Sequence, residues 1–281
     1  MKIQIVTDST ADLTKDIIKK HNIIVVPLTV TLGDESFKDG IDITPDKIAD
    51  YVKKSGQLPK TAAPSISDYK DIFCEIAKTE TGILHFSMSS DMSASYQSAL
   101  VASQDYKNVY VIDTRSLSTG IALLILYANE LIEKGLDIKE IYNKVLTRIP
   151  YVNVSFIIDD LTYLHKSGRC SNLAFFGANL LRLKPSINVK NGKMIAGKKY
   201  RGNISIAVQE YVKDILKQNT NIDSGVIFIT HSMIDYSIVE SVKKIILEES
   251  HFKQISEAIT GSTIFSHCGQ NSLGLLFINK I

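Results

Sequence analysis

The sequence predicts an α/β protein built in two parts. A parallel sheet covered by helices occupies the first half, and a mixed sheet with helices on one face occupies the second. Three observations carry this. Strand-like and helix-like segments alternate over residues 2–149. The early strands include a continuous apolar run, IIVV in IIVVPLTV, as a sheet buried on both faces requires. Beyond Tyr151 the pattern changes: Asn191–Gly192 lies between two strand-like runs, which signals a type I′ hairpin and hence antiparallel pairing.

The elements follow in order. KIQIV (Lys2–Val6) is a strand, and Thr14–His21 is a short helix with Thr14 as N-cap. Ile23–Val30 reads as one buried strand whose Pro27 puts it at a bulge or near an edge. Thr44–Pro45 opens a helix with a cap and a proline at its first position, and Gly56 closes it. Ser67 is the expected cap of a helix reaching Lys78. Strand Gly82–Ser87, helix Ala94–Ser103 and strand Val109–Asp113 come next, then helices over about Gly120–Lys134 and Ile138–Ile149. The second half begins with strand Val154–Asp159 and the hairpin. Helix Ile204–Gln218, strand Val226–Thr230, helix Tyr236–Glu249 and strands Phe252–Thr260 and Leu273–Ile278 complete it. The expected domains are 1–150 and 151–281, with the segment Pro59–Lys78 packing against the second.

Composition narrows the function. With 32 basic and 30 acidic residues the net charge is +2, too balanced for a nucleic-acid or membrane surface. Cys74, Cys170 and Cys268 form no CxxC pair, so a disulfide framework or zinc site is not expected and a reducing compartment fits. The N-terminus carries no signal-peptide pattern. The longest apolar run, Ile121–Ala128, is too short to span a bilayer. A cytoplasmic protein without a membrane segment is expected. There is no Walker A motif, no GxGxxG and no HExxH, so neither a nucleotide cofactor nor a metal is expected.

Polar clusters recur where strands end, which is where open α/β sheets bind ligands. Thr7–Thr10, with Asp8 and Ser9, can orient an anion at a helix start, and a plain N-cap explains it as well. Thr61 stands in KTAAPS, a segment that also reads as a linker. Ser93 sits at the strand-to-helix hinge of SSDMSASYQSA, among serines that are ordinary loop filler too. Arg169 in HKSGRCS supplies a permanent forked cation behind a glycine turn, or is a surface residue after a helix. His267 in SHCGQNSLG follows a strand-like run and is either functional or a structural histidine. A Ser, a His and an Asp suggest a hydrolase triad, but the GxSxG elbow is missing.

Taken in order, IVTDSTADL, KTAAPS, SSDMSASYQSA, VIDTRSLSTG, YLHKSGRCS, LLRLKPSINVKNGKM, KYRG and SHCGQNSLGL resemble the DegV family of bacterial lipid-binding proteins. The resemblance implies an N-terminal three-layer α/β/α domain with a parallel sheet and a C-terminal two-layer α/β domain with a mixed sheet. It also implies a long-chain fatty acid, such as palmitate or stearate, in a cleft between them. By the resemblance Thr61 and Ser93 contact the carboxylate, His267 lies close to it and Arg169 belongs to its polar network. The resemblance also gives Arg201, in KYRG, as a candidate that faces a partner. In some members that partner is a separate ATP-dependent fatty acid kinase subunit, which makes an acyl phosphate from the bound acid. The carrier would then have no catalysis of its own, and a monomer is expected.

The chain departs from the family pattern at Ala62 and Ala63, at Ala94 and Ser95, and around Cys268 and Gln270, while Thr61, Ser93 and His267 persist. A protonated His267 would make binding weaken as pH rises through its pKa. Phe175 and Phe176 are candidate tunnel walls. The competing readings are a serine hydrolase or acyl transferase using Ser93 and His267, and a small-molecule kinase subunit related in architecture to the dihydroxyacetone kinase substrate domain.

Overall fold

A computed structural model describes residues 2–79, 81–171 and 183–281. The chain opens with β1 (Ile3–Asp8), a 3-10 turn (Ser9–Ala11), α1 (Lys15–Lys20), β2 (Ile24–Val26), β3 (Thr29–Leu32) and β4 (Glu35–Lys38). Next come α2 (Pro45–Ser55), β5 (Lys60–Ala62), α3 (Ile66–Ala77), β6 (Gly82–Ser87), α4 (Ser95–Ser103), β7 (Val109–Asp113), α5 (Thr119–Glu133) and α6 (Ile138–Arg148). The second half holds β8 (Val152–Ile157), α7 (Thr162–Ser167), β9 (Cys170–Ser171), β10 (Leu183–Lys190), β11 (Lys193–Arg201) and α8 (Ile204–Gln218). It ends with β12 (Ile222–Ser232), α9 (Tyr236–Glu249), β13 (Gln254–Ile259), α10 (Ser262–Cys268) and β14 (Ser272–Asn279).

The described residues form three sheets. A parallel sheet runs β2-β1-β6-β7, and a mixed sheet of seven strands runs β13-β12-β14-β8-β10-β11-β9. A small antiparallel sheet runs β4-β3-β5. Successive residues of a strand face opposite ways. Thus Val6, Ile83 and Val111 pack under Tyr69 and Phe73 of α3 and Ala99 and Ala102 of α4. Their neighbours Ile5, Leu84 and Ile112 pack on the other side against Ile121, Leu124 and Ile125 of α5. Helices on both faces make the first half three layers.

Helix α5 is apolar on nearly every side because it is covered on both sides. Val154, Phe156, Leu276 and Ile278 of the mixed sheet belong to the same buried cluster. Its first turn sits so close to β8 that a Cβ on Gly120 would lie 2.7 Å from Val154 Cγ2. The far face of the mixed sheet, with Ile227, Ile229, Leu275 and Phe277, is covered by Val208, Val212, Val239 and Val242 of α8 and α9. Among the described residues no helix is long and apolar enough to cross a membrane.

Several elements differ from their sequence-based expectation. Ile23–Val30 is two strands in two different sheets, split at Pro27. The proline has no N–H for a ladder, and the next amide, Leu28 N, donates instead to Ser9 Oγ at 3.1 Å. The KTA of KTAAPS is not a linker but β5, paired to β3 with Val30 opposite Thr61. Ser65, not Ser67, caps α3, in a reciprocal capping box with Asp68. The residues before His267 are helix α10, not a strand. Strand β8 begins at Val152 and ends at Ile157 rather than running from Val154 to Asp159. Phe175 and Phe176 lie outside the described residues.

Candidate functional site

Four of the seven sequence-predicted site residues meet in one cavity. Thr61 arrives on β5, Ser93 on the loop after β6, Arg169 just beyond α7, and His267 on α10. Their cavity has a volume of about 140 Å³, and its apolar walls include Met88, Met92, Met194, Leu117 and Ile264. The strand-to-helix hinge explains Ser93. Its hydroxyl accepts from Ser95 N at 3.2 Å and sits 2.9 Å from Ser95 Oγ, so the side chain is held at the start of α4. Gly168 has φ of 69° and closes α7 in the left-handed region, which turns Arg169 toward the cavity. Its guanidinium donates to Ser167 O at 2.6 Å. Among the described residues no carboxylate pairs with it.

Thr61 Oγ1 and His267 Nε2 are 2.9 Å apart, a contact that joins residues 206 positions distant in sequence. Among the described residues His267 Nδ1 has no partner. Burial, helped by the positive charge of Arg169, pushes the imidazole pKa down to about 4. His267 is therefore neutral at neutral pH in the acid-free protein. The pH dependence expected of a protonated His267 would accordingly fall near pH 4 in the acid-free protein. Among the described residues a triad geometry is also absent: the imidazole bonds Thr61 rather than Ser93, and no carboxylate orients it. Cys268, also on the wall, is held as a neutral thiol, its pKa pushed up to about 12 by burial. Among the described residues no group of His, Cys, Asp and Glu is placed to hold a metal ion.

The structure does not bring Asp8, Ser9 or Arg201 into the lining of this cavity. Asp8 is wholly buried and accepts from Tyr69 Oη at 2.6 Å, Ser87 Oγ at 2.9 Å and Met88 N at 3.1 Å. Its valences are spent tying the ends of β1 and β6 together. Ser9 Oγ donates to Asp39 Oδ2 at 2.9 Å, and Asp39 accepts the amides of Ser262 and Thr263 at 2.8 and 3.2 Å. Ser9 thus supports the start of the helix that carries His267, one step removed from the cavity. Arg201 is exposed at the end of β11.

One residue was missed by sequence reasoning. Thr263 is 2% exposed, lines the cavity one helical turn before His267, and its Oγ1 has no partner among the described residues. Its only sequence signal is the i, i+4 spacing to His267, which becomes visible once the segment is known to be helical. A smaller, mostly apolar recess of about 30 Å³ shares Leu117, Ile264 and Cys268 with this cavity and is lined further by Val154, Phe156 and Leu276.

Residues 2–280 match the family described as "Uncharacterised protein, DegV family". A DegV domain-containing protein of Clostridium acetobutylicum is 32% identical over 281 residues, covering 99% of each chain. Among solved structures, a DegV family protein from Thermus thermophilus, described by its fatty acid binding, superposes with a TM-score of 0.92 at 27% identity over the whole of both chains. A fatty acid (stearic acid)-binding protein from Eubacterium ventriosum does so with a TM-score of 0.87 at 27% identity, over 100% of this chain and 99% of that one. With the end-to-end match and the shared fold, this chain belongs to the DegV family.

Proposed function

We propose that the protein binds a long-chain fatty acid, with the carboxylate held by Thr61 and Ser93 beside Arg169, His267 and Thr263. The observation that carries this is the composition of one cavity. An arginine that no described carboxylate pairs, three hydroxyls and a neutral imidazole gather at an otherwise apolar wall of methionine, leucine and isoleucine. A buried carboxylate left unpaired costs several kcal/mol. Hydroxyl donors and a guanidinium offset that through charge-assisted hydrogen bonds. Neutral His267 donates through one ring nitrogen, so it needs no charge to serve.

The tail supplies the affinity. A sixteen-carbon acid buries about 14 methylenes at about 0.8 kcal/mol each, a gross gain of roughly 11 kcal/mol. Association and ordering remove several kcal/mol of it, and the remainder drives binding. The apolar recess beyond Leu117, Ile264 and Cys268 gives the tail its direction. Met88, Met92 and Met194 are the walls able to repack around it, since thioether side chains adapt at small cost.

In this reading the protein has no catalysis of its own. It acts in the cytoplasm, as a monomer, and presents the acid to a separate ATP-dependent kinase subunit for acyl phosphate formation. Arg201, exposed and away from the cavity, is the residue for that contact rather than for the acid. Native mass spectrometry of the protein as purified, followed by palmitate titration, tests the binding step. An added mass in the range of a long-chain acid is expected, and Thr61→Val and Ser93→Ala are each expected to weaken palmitate by about 10- to 100-fold, the cost of a hydrogen bond to a charged group. A protein that purifies empty and takes up no palmitate overturns the reading, as does stable fluorophosphonate labelling of Ser93.

A further inference from the structure

The turn of the β10–β11 hairpin is gripped by the first half of the chain. Asn191 and Gly192 have φ of 50° and 80°, as a type I′ turn requires. Both of their carbonyls accept hydrogen bonds from across the molecule. Ser89 Oγ donates to Gly192 O at 2.7 Å, and the Arg115 guanidinium donates to Asn191 O. Arg115 is itself held by Asp91, by Asp113 at 3.4 Å and by Ser90 Oγ at 3.0 Å, while Lys193 reaches Asp91 at 3.6 Å. The fit is close. A Cβ on Gly192 would fall 2.6 Å from Arg115 Cζ and from Ser89 Oγ. Arg115 adopts φ of 50°, a left-handed backbone that a residue with a Cβ rarely takes unless its surroundings impose it.

Both sides of this clasp lead directly to the acid site. On one side, Ser89 O accepts the amide of Ser93 at 3.1 Å, so the residue that grips the turn also sets Ser93. On the other, Met194 lies two residues past Gly192 and lines the cavity. Met194 pairs with Cys170 of β9, and Arg169 immediately precedes Cys170. The hairpin therefore carries the Met194 and Arg169 wall, and the clasp sets that wall against Ser93.

We propose that Arg115 and Ser89 are positioning residues for the acid site: by holding the Asn191–Gly192 turn they keep the Met194–Arg169 wall against Ser93, and its release is the step that admits and discharges the acid. This rests on the fatty acid reading above. Its outer members Asp91, Arg115 and Asn191 are polar and reach solvent, whereas Ser89 and Gly192 are buried and Met194 belongs to the core, so the clasp opens from its Arg115 side. An acid enclosed by a wall exchanges only as fast as the wall moves.

Stopped-flow association and dissociation of palmitate in the full-length protein tests this, with Arg115→Gln, Ser89→Ala and the double variant. Both rate constants are expected to rise about tenfold in each single variant while Kd changes less than threefold. The double variant should add little to either, because both side chains hold the same turn. Unchanged rates in variants that fold, judged by an unaltered circular dichroism spectrum, overturn the proposal. So does a faster dissociation with unchanged association, which would make the clasp a plain wall contact. Thr61→Val serves as the contrast and should raise Kd through dissociation alone. A wild-type protein that takes up no palmitate defeats the fatty acid reading and the clasp's role with it, and this outcome is distinct from unchanged rates in a protein that binds.

Discussion

His267 and Asp12 carry charges that their residue types alone do not reveal. Burial holds His267 near pKa 4 and lifts Asp12 to about 8. Asp12 accepts from Ser118 Oγ at 2.5 Å and Gly261 N at 2.7 Å, and both bonds favour the charged form. Desolvation, with Asp39 nearby, outweighs them. The sign of the stability effect follows. Between pH 6.5 and about 8 folded Asp12 holds a proton that the unfolded chain has already lost, so stability falls as pH rises through this window. Below pH 6.5 the opposite holds for His85 and His267, whose pKa values burial lowers: the unfolded chain takes up protons first and acid destabilises. Urea unfolding of Asp12→Asn is expected to lose the decline between pH 6.5 and 8 and to keep the acid limb. A decline of unchanged size in that variant would assign it to another group. Thr61, Ser93, Arg169 and His267 were each recognisable from their motifs, but the neutral state of His267 was not, because burial is a property of the packed chain.

At the scale of elements, the long segments were legible and the short ones were not. The alternation of β1, β6 and β7 with α3 to α6 follows from period and caps. Three-residue strands such as β2 and β5 show no period. Strand β5 exists because β3 offers it an edge, and that pairing is what sets Thr61 opposite α10. Helix α10 is likewise a tertiary product. Its start has no cap of its own, since Gly261 occupies the N-cap position, and Asp39 from the first half accepts the Ser262 and Thr263 amides instead. Asp39→Ala is expected to cost about 1 kcal/mol or more of stability, as for a lost cap, and to weaken palmitate binding because Thr263 and His267 ride on that helix. Asp39→Ser, a good cap residue, should recover part of both. Denaturation together with palmitate titration checks this, and a binding constant untouched by Asp39→Ala would separate α10 from the headgroup.

For the whole molecule, α5 decides the behaviour. It packs against the parallel sheet with Leu124 and Ile125 and shares one buried cluster with Val154, Phe156 and Leu276 of the mixed sheet. Such a shared core ties the two halves energetically. Scanning calorimetry is expected to show one cooperative transition, with calorimetric and van't Hoff enthalpies in agreement. Two resolved peaks would mean that the halves melt independently and that the cleft between them is softer than its core indicates.

The sequence by itself determined the α/β class, the parallel and mixed sheets, the family and four polar residues of the cavity wall, Thr61, Ser93, Arg169 and His267. These are local properties, written in periodicity, caps and ordered motifs. Only the tertiary structure decided which of those residues meet. It separated Asp8, Ser9 and Arg201 from Thr61, Ser93, Arg169 and His267, added Thr263, and turned the serines at 89 and 90 from loop filler into part of a clasp on a hairpin more than a hundred residues away. The physical reason is that contact between distant segments and the burial that sets a charge depend on the whole packed chain, and a single stretch of sequence does not contain them.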